Sequence, residues 1–230
     1  MGGGGFSMAT GDSPLDAFVL ELARARRGRS LPRLCFVGTA TGDALEYWLR
    51  FQAAFAGRAD TSRLTLFERT VEDIESFVLD QDALYVGGGN TASLLAVWRA
   101  HGLDRAIAAA REEGLVVAGL SAGAICWFDA GTTDSYGPTL QPLTGGLGYV
   151  AGSCCPHYDG EPQRRPTFHR LVGDGTLPDG LAIDDGAAAV IDGDALVEVV
   201  AERPGATAYR VERDGADGVT EVQLPARMLP

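Results

Sequence analysis

Three times in its first 130 residues the chain repeats one pattern: a short apolar run, a glycine-bearing turn, then residues at helical spacing. "LPRLCFVGTATGD" leads into "ALEYWLRFQAAFAG", "ALYVGGGNT" into "ASLLAVWRAHG", and "LVVAGLSAG" into "AICWF". Strands that are apolar throughout are buried on both faces, and strands alternating with helices build a parallel sheet covered by helices on both sides. The first unit places a buried strand at residues 33–37, a helix entry near Asp43 and a helix stop at Gly57. "SRLTLFER" adds an alternating strand, while "VEDIESFVLDQ" and "LDRAIAAAREEG" read as helices.

After residue 130 the texture changes. Residues 131–166 are loop-rich in Gly, Pro, Thr and Ser, with short β-like pieces such as "LGYVAGSCCPHY". "RRPTFHRLV" reads as a helix, and beyond residue 180 consecutive strands turn at Asp192-Gly193 and Asp214-Gly215. No linker interrupts the chain and the recurring pattern is one of element type without an internal sequence repeat, so the expectation is one α/β domain over residues 1–230, a mainly parallel sheet with a C-terminal antiparallel β extension. "GGGGF" starts at residue 2 with no strand before it. Either a first strand lies upstream of Met1, or the sheet manages without one and is less stable for it.

Hydrophobic residues make up 46% of the chain and charged residues 22%, which is ample for a large core. The net charge of −12, from 31 acidic and 19 basic residues, argues against a partner held by its phosphate backbone. Nucleic acid is therefore not an expected partner. No apolar run approaches the length of a membrane span and the first residues lack a signal-peptide pattern, so neither membrane anchoring nor secretion is implied. Cys35, Cys126, Cys154 and Cys155 show no metal-ligand spacing and read as reduced thiols of a cytoplasmic protein.

The chemistry concentrates at Gly119-Leu120-Ser121-Ala122-Gly123. In a sharp strand-to-helix turn, small residues two positions either side let a serine adopt strained backbone and project its hydroxyl beside the next N–H. The alternative is a serine that caps a helix. A nucleophile needs a base, and there are three histidines. His101 ends a helix, where it suits the C-terminal dipole, and His169 lies in the later helix. His157 follows Pro156 at the end of a β-like run, where a loop returns to the sheet, and is the better candidate. Gly87-Gly88-Gly89-Asn90-Thr91 forms a second glycine turn after a strand; it lacks the Lys-Ser/Thr of a phosphate loop. Its N–H groups could join that of Ala122 in an oxyanion hole, or it could be a tight turn without a ligand.

Taken together, "YVGGGNT", "LLAVWRAHGL", "GLSAGA" and "PHYD", in this order and spacing, resemble the peptidase E family of serine peptidases. These are aspartyl dipeptidases related to cyanophycinase, with a fold similar to class I glutamine amidotransferases. The resemblance runs from "GGGGFSM" to "IDDGAA". It implies Ser121 as nucleophile, His157 as general base, and the backbone of Gly88 or Gly89 with Ala122 as oxyanion donors. For the third member it leaves two acids open: Asp185 in "AIDDGAA", preferred, with Asp184 beside it, and Asp134 in "GTTDS". It further implies a substrate with an amino-terminal aspartate, contacts from Asn90, and an arginine fork from Arg164 or Arg165 on its carboxylate. No metal or organic cofactor is required. A cyanophycinase-like hydrolase of β-aspartyl linkages and a noncatalytic ligand-binding protein on the same fold are the alternatives, and monomer and homodimer are both compatible with the sequence.

Overall fold

The computed structural model describes residues 1–215 and 218–230. The three glycine-turn units form as expected. Strands β1 (Arg33–Val37), β2 (Asp60–Leu64), β3 (Ala83–Val86) and β4 (Val116–Gly119) make a parallel sheet in the order β2-β1-β3-β4. Alternation along each strand feeds two cores. Leu34 and Phe36 of β1, with Ala83 and Tyr85 of β3, join the cluster under α1 (Pro14–Arg27) and α2 (Leu45–Ala54). Cys35, Val37, Leu84 and Val86 face the other way, against α3 (Ile74–Leu79), α4 (Thr91–His101) and α5 (Leu103–Glu112). This two-sided burial is why the strands read as unbroken apolar runs.

Helix α1 is an element the sequence reading did not name, although its signals are present. Ser13 caps it by accepting from the Asp16 N–H at 3.3 Å, Pro14 occupies the first turn, and Gly28 ends it in the left-handed region. Phe6 is buried beside it, edge-on to Phe36, Phe51 and Tyr85, so the glycine-rich N-terminal segment is anchored by an aromatic cluster.

The second half is a mixed sheet rather than a continuation of the first. Beyond α6 (Ala122–Ile125) come β5 (Phe128–Thr133), β6 (Gln141–Thr144), β7 (Val150–Cys155), α7 (Arg164–Gly173) and β8 (Gly180–Ile183). With β11 (Ala208–Asp214) and β12 (Gly218–Gln223) these strands are ordered β12-β11-β8-β7-β5-β6, parallel only at the β5-β7 and β7-β8 pairs. The expected antiparallel extension is split. β9 (Ala187–Asp192) and β10 (Ala195–Ala201) form a hairpin joined by β13 (Ala226–Met228) in a third sheet, while β11 and β12 extend the second. The Asp192-Gly193 turn lies within the first hairpin; residues 216 and 217, which follow Asp214-Gly215 in sequence, lie outside the described residues.

Residues 1–3 occupy the seam between the sheets. The N–H of Ser121 donates to the Gly2 carbonyl at 3.2 Å, the N–H of Gly2 to the Ala187 carbonyl at 3.2 Å, and the N–H of Gly186 to the Gly3 carbonyl at 2.9 Å. A parallel bridge pairs Gly3 with Asp185. β4 is nevertheless only half-buried at Val116, Val117 and Ala118. All four cysteines are free and buried, with Cys35 in the parallel sheet, Cys154 and Cys155 in the mixed sheet, and Cys126 after α6. Burial pushes the thiols of Cys35, Cys154 and Cys155 up to about 12 and that of Cys126 well above its usual value. Among the described residues no helix is long and apolar enough to cross a membrane.

Candidate active site

The turn after β4 has the geometry that its small residues allow. Ser121 adopts φ 54° and ψ −116°, a strained conformation for a residue with a side chain. A Cβ on Gly119 would lie 2.0 Å from the Gly123 carbonyl oxygen, and one on Gly123 would lie 2.4 Å from that of Val86. Only glycine lets the chain fold back so closely at both positions, which holds Ser121 at the tip. The helix that follows is a single turn, α6, shorter than its apolar sequence suggests. The electrostatic contribution there comes from individual N–H groups rather than from a long helix dipole. The N–H of Ala122 has no acceptor among the described residues.

Gly88 comes from the turn after β3 and lies against the serine: a Cβ there would sit 3.6 Å from Ser121 Oγ. Its N–H donates to the Tyr47 hydroxyl at 3.3 Å, so a substrate oxygen would compete with Tyr47 for this donor. The Gly89 N–H has no acceptor among the described residues. Asn90 is committed elsewhere. Its Oδ1 caps α4 by accepting from the Ser93 N–H at 2.8 Å, and its Nδ2 donates to the Ser135 carbonyl at 2.9 Å. The amide expected to touch substrate instead fixes the start of a helix and the loop after β5.

His157 is also at positive φ, 54°, immediately after Pro156. Its Nδ1 lies 2.6 Å from Asp185 Oδ1, with both side chains largely shielded from solvent. Ser121 and His157 line one cleft of about 370 Å³. Asp185 is itself held: its N–H donates to Asp159 Oδ1 at 2.9 Å, its carbonyl accepts from Arg203 Nε at 2.8 Å, and Arg203 pairs with Asp159. Gly3 and Gly160 leave room for the carboxylate, since a Cβ on either would lie within 2.3 Å of one of its oxygens. Asp184 points away into the protein. Its Oδ2 accepts from the Thr207 N–H at 3.1 Å, its Oδ1 is buried without a partner among the described residues, and burial raises its pKa to about 6. Asp134 is exposed beyond the end of β5, and the hydrogen-bond partner of His157 Nδ1 is Asp185.

The two arginines expected to form a carboxylate fork are both engaged outside the cleft. Arg164 is buried, donating to Glu161 Oε2 at 2.7 Å and to the Thr132 carbonyl at 3.2 Å. Arg165 pairs with Glu221 at 2.8 Å and stacks over the rings of Tyr158 and Tyr209. His169 completes that cluster, 2.7 Å from Glu221 Oε2. His101 is the last residue of α4, where the sequence put it. The cleft is instead lined by Ser7, Thr41, Tyr47 and Arg50, none of which was singled out as a site residue from the sequence. Tyr47 and Arg50 are one helical turn apart on α2, a spacing that could have flagged a shared polar edge on an otherwise apolar helix.

A strained serine at a strand-to-helix turn lines one cleft with a histidine that is paired with a carboxylate, a set of groups suited to acyl transfer on an α/β fold. The comparisons with known proteins narrow this. The family model for peptidase family S51 matches residues 1–199, and the chain belongs to this family of serine-type peptidases. It is 46% identical over 230 residues to the uncharacterized peptidase YgaJ of Bacillus subtilis (strain 168), covering all of this chain and 97% of that protein. Among solved structures it is similar to a peptidase from an acI-B1 Actinobacterium, with TM-score 0.69, 19% identity, and coverage of 98% of this chain and 92% of that one. A Listeria monocytogenes EGD-e structure, provisionally described as a peptidase E protein, matches with TM-score 0.53 and 17% identity, covering 90% and 93% of the two chains. These likenesses support the class I glutamine amidotransferase-like fold expected from the sequence.

Proposed function

We propose that this protein hydrolyses short peptides, with dipeptides carrying an amino-terminal aspartate as substrates, through an acyl-enzyme on Ser121. The observation that carries this reading is the 2.6 Å pairing of His157 Nδ1 with Asp185 in the cleft that also exposes Ser121. Pairing at Nδ1 leaves Nε2 as the basic nitrogen toward the cleft, and the carboxylate stabilises the imidazolium formed when the ring takes the serine proton. Ser121 Oγ attacks the scissile carbonyl carbon, and the oxyanion is received by N–H groups from Ala122 and from Gly88 or Gly89. His157 returns the proton to the leaving amine, and water then resolves the ester by the same route in reverse.

The test is release of free aspartate from a panel of Asp-X dipeptides, with Glu-X and β-Asp-Arg peptides for comparison. Cleavage of Asp-X that falls by about 10⁴-fold or more in Ser121→Ala is the expected outcome. Preference for β-Asp-Arg would move the assignment to β-aspartyl linkages. A folded wild-type protein that cleaves nothing and is not labelled at Ser121 by a serine-directed phosphonate would sink the hydrolase reading.

A further inference from the structure

The whole protein carries −12, yet no Asp or Glu is among the described residues that line the cleft, and Arg50 is the one Lys or Arg side chain there. Arg164, Arg165 and Arg203, which sit on or beside the elements that carry His157 and Asp185, each have a carboxylate partner: Glu161, Glu221 and Asp159. Arg50 has none among the described residues. Its Nη2 donates to the carbonyls of Phe6 and Ser7, which leaves Nη1 and Nε without acceptors among the described residues. The carbonyls thus fix the head of the guanidinium without neutralising it, and two of its donor groups remain open.

Its position relative to the nucleophile follows from a chain of contacts. Ser121 abuts Gly88, the Gly88 N–H donates to the Tyr47 hydroxyl, and the Tyr47 hydroxyl donates to Ser7 Oγ at 3.2 Å. Ser7 in turn holds Arg50 through its carbonyl. The cation is therefore on the same wall as the Gly88 N–H, one helical turn from Tyr47. Arg50 and Ser121 thus line the same cleft.

We propose that Arg50 is a specificity-determining residue of this cleft and receives a carboxylate of the substrate, taking the role that the sequence suggested for Arg164 or Arg165. The inference rests on the peptidase reading and deepens it by naming the residue that selects the anionic group of such a peptide. In a dipeptide with amino-terminal aspartate, the carboxylate could be that side chain or the peptide's own C-terminus. Both present the same planar anion to a guanidinium.

Ser121→Ala removes turnover and allows binding to be measured directly. Calorimetric Kd values for Asp-Leu, Asn-Leu and Asp-Leu amide are compared in Ser121→Ala alone and with Arg50→Gln or Arg50→Lys added. The expected result is that Ser121→Ala prefers a free carboxylate over its isosteric amide by about tenfold or more. Selectivity for Asp-Leu over Asn-Leu assigns the side chain, and selectivity over the C-terminal amide assigns the terminus. Either should fall to within about twofold in Arg50→Gln and be partly kept by Arg50→Lys, which retains the charge without the fork. Arg50→Lys also retains a donor toward the carbonyls of residues 6 and 7, in case Arg50→Gln loosens that loop. The proposal is overturned if Ser121→Ala shows no carboxylate selectivity, or if the selectivity survives Arg50→Gln. Labelling of wild type at Ser121 without such selectivity would remove Arg50 and leave the hydrolase reading. Selectivity without labelling would keep Arg50 and remove the hydrolase.

Discussion

On the parallel-sheet side of the cleft, Ser121 and Gly88 each sit on the first turn after a strand, and their positions follow from three or four neighbouring residues. On the mixed-sheet side, His157 and Asp185 are 28 residues apart and meet only because β7, β8 and the segment 1–3 converge. The first half is built by a local code, in which a strand, a glycine turn and a helix dictate one another. The second half depends on long-range closure, in which Asp159, Arg203 and Gly3 hold the carboxylate against the ring. The proposed nucleophile and the proposed base therefore belong to separately organised parts of the chain, and the difference teaches that their alignment is a property of the seam.

The strongest way to break this comparison is to remove the orienting carboxylate. Asp185→Asn should lower kcat/KM by about 10³ to 10⁴ while leaving phosphonate-accessible Ser121 in place, because the amide favours the wrong imidazole tautomer. Asp134→Asn should change the same parameter by no more than about twofold, well short of any orienting role. Equal losses from the two variants would return Asp134 to consideration. Next comes the seam. Gly3→Ala would put a Cβ 2.3 Å from Asp185 Oδ1 and 2.9 Å from His157 Cε1. A displacement of that kind should cost about 10²-fold in turnover with a much smaller change in melting temperature. If activity is kept, the mixed-sheet half positions the pair without help from residues 1–3.

The smallest effect sharpens the parallel-sheet side alone. Asp16 is buried, accepts from the Tyr85 hydroxyl at 3.0 Å, and has its pKa raised from 3.8 to about 7, chiefly by burial. The folded state thus holds this proton more tightly than the unfolded chain. The stabilisation is fully present below about pH 4 and is lost as the pH rises to about 7. Asp16→Asn should remove this slope, so its stability relative to wild type should improve by roughly 4 kcal/mol between pH 4 and pH 8 in denaturant titrations. An unchanged difference across that range would show that Asp16 is not a buried proton carrier.

The same contrast explains what could be read from the sequence. The turn around Ser121, the glycine turn at 87–89 and the short strand-and-helix units of the parallel sheet were legible because each is encoded by adjacent residues. The pairing of His157 with Asp185 rather than Asp134 was only ranked, since nothing local to "PHYD" says which strand returns beside it. The partners of Asn90, Arg164 and Arg165 were unreadable for a related reason. A polar residue near a motif advertises chemistry, but its partners Ser93, Glu161 and Glu221 are fixed by packing. Arg50 was invisible because it lies outside every motif and becomes part of the cleft only when α2 docks on Phe6.

Three of the four buried thiols divide between the same two halves. Cys35 belongs to the parallel sheet, and Cys154 and Cys155 to the mixed one. None can ionise readily while enclosed, so an alkylating reagent reacts with each only when its own sheet opens. The chain therefore carries two built-in clocks. Their readings, taken peptide by peptide after a short pulse, report whether the halves that frame the cleft come apart in one step or in sequence.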